Sequence, residues 1–242
     1  MALELHRRLA RKLGYDIQKF NKQVVVETHL RYLLPLLDIG IVIDVGANEG
    51  QYAQGLRSII GYEGEIHSFE PLPAAFEKLS ANAASDPLWH VHNYALGDED
   101  GEAELKVSEH TVFSSLHETN AQGHAKFKGG IAVADTVKVP LRRLDGLVGE
   151  LGIDVSSTPT FLKMDTQGHD AWVFQGAAGI LPQLAGLQSE VSVIGIYEGV
   201  PTYIELFEIY RNAGFELTGV YTLNRYRDTG HIVELDCVFA RR

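Results

Sequence analysis

Residues 161 to 170 read FLKMDTQGHD: the apolar Phe161, Leu162 and Met164 give way at once to Asp165, Thr166, Gln167, His169 and Asp170. The apolar run reads as the buried end of a strand, and a parallel sheet places its chemistry directly beyond strand ends. Four roles fit the polar cluster. Asp165 or His169 could take the proton from a hydroxyl acceptor. Asp165 and Gln167 could hold the charged tail of a cofactor. Asp165 could join Glu190 around a divalent ion, since oxygen-rich sites suit magnesium or manganese, although no metal ligand is assigned. Thr166 or Asp170 could instead satisfy free N–H groups at the start of the helix in DAWVFQGA, and for Asp170 capping leads. Glu190 interrupts the apolar strand LQSEVSV. A carboxylate there is costly unless paired or turned to a cleft, so a cleft-facing role is expected.

Two other strand ends carry matching chemistry. IVIDVG stops at Gly46, and the loop GANEG opens into a helix start rich in free N–H groups. Glu70 closes the next strand, GEIHSFEP, about 20 residues beyond Gly50, the spacing at which dinucleotide folds hold ribose hydroxyls on a carboxylate. Taken singly, Gly46 reads as a turn residue and Glu70 as a solvated acid. Taken together, strand, glycine loop, helix, strand and acid point to an adenosine-containing cofactor. The loop lacks the G-x-G-x-x-G that a pyrophosphate wants, and Asp44 and Glu49 would repel a diphosphate while tolerating a cation. S-adenosyl-L-methionine meets that description, with an adenosine, a sulfonium, an ammonium and no phosphate.

The elements that must position these groups alternate along the chain. After VVVETHLRYLLPLL, a helix, come strands at IVIDVG, GEIHSFEP and WHVHNYALGD, separated by the helices NEGQYAQGLRSII and PAAFEKLSANAAS. GEAELKVSE and DTVKVPLRRLD have period-two character and bracket a polar, histidine-bearing loop. TFLKMDT, DAWVFQGAAGILPQL, GLQSEVSV and TYIELFEIYRNAG continue strand, helix, strand, helix, with Gly214 as a C-terminal cap. FELTGVY and VELDCVFARR finish as an antiparallel pair. The reading is one domain at 40–242, a helical extension at 1–39 packed on it, and a lid-like insertion at about 108–135 over the acceptor pocket. His110, His117 and His124 fall in that insertion. Tyr197, Glu198 and Tyr203 offer a second acceptor surface, or tyrosines that merely pack. His67, His90 and His92 alternate within strands and read as sheet-surface or satisfied core residues.

The chain has 242 residues and 21 basic against 32 acidic side chains, for a net charge of −11. That length suits one large α/β domain, and that charge disfavours a nucleic-acid partner. No run approaches the roughly 18 apolar residues of a membrane span, so no integral membrane association is expected. Leu5, Leu9, Leu13 and Ile17, with Arg7, Arg8, Arg11 and Lys12 between them, read as an amphipathic helix ahead of a membrane-surface or transit segment. The single Cys237 excludes an intrachain disulfide or a cysteine zinc cluster, and its apolar neighbours predict a buried, inert thiol. A cytoplasmic location is expected, and homo-oligomerisation stays open.

IDVGANEGQYAQGLR, GEIHSFEPLPAAFEKL, WHVHNYALGDEDG, FSSLHE and FLKMDTQGHDAWVFQGA, followed by GLQSEVSVIGIYEG, resemble successive signatures of the FkbM-type S-adenosylmethionine-dependent methyltransferases. The likeness runs from about residue 40 to the C-terminus. Its first two signatures belong to methyltransferases at large, while LKMDTQGHD with QSEVS is specific to the family. The resemblance implies an α/β, Rossmann-like class I methyltransferase with a seven-stranded, mostly parallel sheet, an antiparallel last strand and helices on both faces. It implies transfer of a methyl group to a hydroxyl of a saccharide, glycan or natural-product acceptor. Carried over, Asp44, Gly46, Ala47, Asn48 and Gly50 surround the methionine part and Tyr52 closes over it. Glu70 takes the ribose hydroxyls with Pro71 shaping the turn, and Asn93, Ala95 and Leu96 frame the adenine. Ser114 and Ser115 face cofactor or substrate, Gln167 joins Asp165 at the cofactor, and Asp165, His169 and Glu190 are the catalytic candidates. His110 departs from the asparagine common among relatives. N-methyl or aminopropyl transfer, or a non-catalytic cofactor-binding partner of a biosynthetic complex, are the alternatives.

Overall fold

The computed structural model of the protein describes residues 25–108, 114–126, 132–226 and 228–241. Strand β1 (Ile41–Val45) is buried along its whole length, as a continuous apolar run requires when helices cover both sheet faces. β2 (Glu65–Phe69) pairs with it in parallel, and β3 (Trp89–His92) pairs in parallel with β2. The chain then leaves the sheet. Asn93 donates its side-chain amide to the carbonyls of Glu70 and Pro71, at 2.8 and 3.0 Å, and so turns the backbone across the end of β2. WHVHNYALGD is therefore two strands rather than one. Its second half, β4 (Ala95–Leu96), joins β5 (Gly101–Ser108) and β6 (Val133–Arg142) in a separate three-stranded sheet. That sheet has a small core of its own around Leu72, Ala95, Leu105, Val139 and Leu141.

β7 (Thr160–Met164), as fully buried as β1, returns to pair with it on the side away from β2, and β8 (Leu184–Ser192) follows in parallel. β9 (Phe215–Arg225) forms the far edge. β10 (Ile232–Arg241), the last strand, runs antiparallel between β8 and β9. The order β3-β2-β1-β7-β8-β10-β9 reverses direction between β1 and β7. In open α/β sheets that switch point leaves a crevice beyond the strand ends.

Helix α1 (Val26–Leu36) lays Leu30, Leu33 and Leu34 against Val42, Ile66 and Phe161 on one face of the sheet. That face also receives α2 (Gln51–Gly55), which widens into a π turn at Leu56–Ile60, and α3 (Pro73–Ala83), whose proline stands where a helix needs no donor. α4 (Ala121–Lys126) lies in the insertion. α5 (Leu144–Glu150), α6 (Asp170–Gly176) and α7 (Tyr203–Asn212) cover the other face, around Ile43, Leu162 and Leu187. α7 begins with a Thr202–Glu205 capping box and is followed by Gly214 at φ 91°.

Burial pushes the Cys237 thiol up to about 12, an inert state. Among the described residues no helix is long and apolar enough to cross a membrane. The amphipathic stretch Leu5 to Ile17, together with His110, lies outside the described residues.

Candidate functional site

The carboxyl ends of β1, β2 and β7 open into one cavity of about 660 Å³. Two loops must cross at its floor. The Asp165 N–H bonds the Val45 carbonyl, while the N–H groups of Gly46 and Ala47 bond that of Phe69. Gly46 adopts φ 74°, and a Cβ there would lie 1.9 Å from the Asp165 carbonyl oxygen, so only glycine lets the loops pass. Asn48 follows in the left-handed region and donates its N–H to Glu70 Oε2 at 2.8 Å, while the Leu72 N–H reaches Oε1 at 2.8 Å. The two donors aim the carboxylate and leave each oxygen further acceptor capacity. Burial pushes the Glu70 carboxyl up, and these N–H groups oppose the shift. Asn48 Oδ1 is buried and has no partner. Pro71, Ala95, Leu96 and Leu105 make this end of the cavity apolar.

The opposite end is acidic. The Asp165 side chain is 43% exposed, with Oδ2 3.7 Å from Lys163 Nζ. Gln167, held at φ 52°, donates Nε2 to Asp165 Oδ1 at 3.2 Å and to Glu190 Oε2 at 2.7 Å, and accepts the Tyr197 hydroxyl at 2.8 Å. It therefore clamps the two acids. Burial, then the charges of Asp165 and Glu234, raise the half-buried Glu190 carboxyl well above the usual range. The two acids thus share the Gln167 amide, and the crowding disfavours a second negative charge on Glu190. Ser115 steadies the loop from the insertion side, donating to the Gln167 carbonyl at 2.7 Å and accepting the His117 N–H at 3.1 Å. Ser114 and Ser115 both border the cavity, as do Tyr52 and His169.

Lys163, Gln188, Glu234 and Asp236 also line the cavity, although sequence reasoning named none of them. Lys163 lies in mid-strand with Nζ 2.9 Å from Asp44 Oδ1 and 5.2 Å over the Tyr52 ring. Burial alone would lower its pKa, but Asp44 and Asp165 outweigh that and hold the ammonium charged. Tyr52 donates its hydroxyl to Gln188 at 3.1 Å. Asp236 stands opposite Glu190 in the β8–β10 register, and burial pushes its carboxyl to about 6. The signal for Glu234 and Asp236 was present in VELDC, where acids alternate with apolar residues. Such alternation in an antiparallel strand, however, ordinarily means one solvated face.

Five of the expected residues have partners within the protein itself. Asp44 does not line the cavity: it is fully buried, paired with Lys163, and accepts the Ser68 hydroxyl at 3.1 Å. Gly50, at φ 94°, makes room for Trp89 and Leu79. Asn93 ties down the Glu70–Pro71 turn. The His169 ring is stacked at 5.0 Å and 5° on Trp172, with Nδ1 3.0 Å from His117 Nε2. Burial and then His117 pull its pKa down to about 3, so it borders the cavity as a neutral ring and a weak proton acceptor. Asp170 caps the loop rather than the helix: it accepts the Thr166 N–H and hydroxyl at 3.0 and 2.6 Å, and the Ser189 hydroxyl at 2.7 Å. In the IYEGVPTY segment Tyr197 is buried, and Tyr203 lies on α7 with its ring edge-on to Phe207; neither lines the cavity.

A seven-stranded sheet with this order, a glycine loop after β1 and an acid after β2 define the class I methyltransferase architecture. The family model for the methyltransferase FkbM domain matches residues 44–217. The chain belongs to that family of S-adenosylmethionine-dependent methyltransferases. The crystal structure of methyltransferase FkbM from Methylobacillus flagellatus KT is similar with a TM-score of 0.52 and 14% identity, over 89% of this chain and 48% of that one. This chain thus spans about half the length of that structure. An rRNA methylase from Streptococcus thermophilus follows at a TM-score of 0.44 and 11% identity, over 88% of this chain and 95% of that one. Aeropyrum pernix fibrillarin, in complex with natively bound S-adenosyl-L-methionine, is similar at 0.45 and 13%, over 96% and 74% of the two chains. No curated protein matches the chain.

Proposed function

We propose that this chain transfers a methyl group from S-adenosyl-L-methionine to a hydroxyl of a saccharide, glycan or natural-product acceptor. The observation that carries the reading is a single cavity with an aimed carboxylate, Glu70, beside an apolar end and an acid-rich opposite end. The residues fit the cofactor. Glu70 can accept two ribose hydroxyls, and Ala95 and Leu96 offer an apolar seat for adenine. The partnerless Asn48 Oδ1 can accept a hydrogen from the ammonium. Asp165, Glu234 and Asp236 outnumber Lys163, which favours a cation and would repel a diphosphate. The cofactor supplies an electrophilic methyl group activated by its sulfonium.

The chain's own part is to position and to move one proton. Gln167 fixes Asp165 and Glu190, and burial with the neighbouring acids disfavours a second negative charge on Glu190 beside Asp165. Holding the acceptor oxygen in line supplies several kcal/mol of the rate enhancement. A hydroxyl also needs a proton acceptor. Asp236, with its carboxyl near 6, is ionised at neutral pH yet basic enough to serve, and it takes the role that His169 is too weak to fill.

The test is turnover with S-adenosyl-L-methionine and a panel of hydroxylated glycan acceptors. Asp165→Ala is expected to abolish turnover, and a near-wild-type rate would remove Asp165 from the mechanism. Asp236→Asn is expected to cost about 10² to 10⁴ in rate. In the wild type the rate should fall as pH drops below about 6, because the proton acceptor is then occupied. A profile flat through that range excludes Asp236 as the base. Methylation of amines alone would refute the hydroxyl reading.

A further inference from the structure

Away from the cavity, on the outer two strands of the main sheet, β2 and β3 gather Glu65, His67, His90 and His92. None of these residues lines the cavity. Their common placement follows from register. His67 pairs with His90 and Phe69 with His92 in parallel strands, and residues two apart share a sheet face, so all four side chains project from one face. The intervening Ile66, Ser68 and Trp89 turn to the opposite face and are buried there. A hydrophobic core gains nothing from three imidazoles in that arrangement. The rings stack on one another, at 4.8 Å between His67 and His90 and 5.5 Å between His67 and His92.

We propose that Glu65, His67 and His90 form a binding site for a zinc-type divalent ion, with His92 as the group that orients His67. One ligand atom from each of the three lies within 4.8 Å of the others. His67 Nε2 and Glu65 Oε2 are 3.5 Å apart. Two ligands of one tetrahedral zinc, each bound at about 2.0 to 2.2 Å, keep roughly that separation. His67 Nδ1 is 3.2 Å from His92 Nε2. A hydrogen bond there, with His67 donating, directs the lone pair of His67 Nε2 toward Glu65 and fixes the tautomer that a metal needs. His67 is buried while Glu65 and His90 are exposed. The ion can therefore enter from solvent, the exposed ligands can close onto it by side-chain rotation, and a water completes the shell. Two imidazoles and a carboxylate favour zinc, nickel or copper over magnesium, which prefers oxygen alone.

The experiment uses the full chain stripped with a chelator and titrated with zinc chloride by calorimetry, with cobalt(II) absorption as the report on geometry. The expected result is one zinc ion per chain, an intense cobalt band of the tetrahedral kind, and no competition from excess magnesium. The chain holds 10 histidines, so variants must assign the site. His90→Ala and Glu65→Gln change exposed side chains on these two strands, and each is expected to weaken zinc binding at least about tenfold. Zinc should raise the melting temperature of the wild type and not of His90→Ala, while the metal-free proteins melt alike. No zinc binding by the wild type, equal binding by both variants, or displacement by magnesium would each overturn the proposal.

Discussion

Lys163 lies in a strand whose every residue is buried, and its ammonium is tolerable there because Asp44 Oδ1 stands 2.9 Å away. Removing one partner of such a pair leaves a buried charge without compensation. Lys163→Met is therefore expected to cost about 3 to 5 kcal/mol, read as a lower urea midpoint, and adding Asp44→Asn should restore part of it. An unchanged midpoint in the single variant would mean that the pair is not holding the floor of the cavity. His169 gives a second expectation, with a definite sign. Its folded pKa, about 3, lies below the ordinary imidazole value of about 6.5, so the unfolded chain binds a proton that the folded chain refuses. The stability difference is absent above about pH 6.5 and grows as pH falls toward about 3, reaching roughly 2 kcal/mol near pH 5. His169→Phe, which keeps a ring against Trp172, should lose less stability on acidification than the wild type. Equal losses would show that the ring titrates freely. Residues at strand ends were legible in the sequence, since Glu70, Asp165 and Glu190 break apolar runs where a ligand can reach them. Lys163 and Asp44 were not, because a charge inside a strand does not announce its partner. Only the β1–β7 register brings the two together.

At the scale of elements, the departure from expectation has a single origin in Asn93. Strand propensity continues through WHVHNYALGD, but the side chain of Asn93 captures two carbonyls beyond β2 and moves β4 into another sheet. A side-chain hydrogen bond to a distant backbone overrides local propensity here, and no window of sequence shows it. The second sheet then docks on α6 through glycine. A Cβ on Gly176 would lie 1.9 Å from the Gly97 carbonyl oxygen. Gly176→Ala is expected to destabilise by about 1 to 3 kcal/mol, as overpacking does, and to perturb the adenine end of the cavity through β4. Thermal melting with and without cofactor checks this. A variant that melts with the wild type would show the two elements to be loosely apposed. The parallel core, by contrast, was readable from the sequence: IVIDV and TFLKM are short, apolar but for one charge each, and followed by glycine or acid, which fits covered strands.

For the whole molecule, sheet order and charge act together. The reversal between β1 and β7 makes a crevice, Glu70 marks one end of it, and the acids of β7, β8 and β10 mark the other. Membership of the FkbM family gives that crevice its context. The far wall of the crevice is the less legible part, because Leu116, Asn224, Glu234 and Asp236 reach it from the insertion, β9 and β10, where sequence pattern describes strands rather than ligands. The central claim is that the Glu70 crevice binds S-adenosyl-L-methionine. It is tested most directly by calorimetry of the wild type and Glu70→Ala with S-adenosyl-L-methionine and S-adenosyl-L-homocysteine. The expected result is one molecule bound per wild-type chain and binding weakened by about 1.5 to 3 kcal/mol in Glu70→Ala, through loss of charged hydrogen bonds to the ribose. No binding of either compound by the wild type, or equal affinity in the variant, would contradict it.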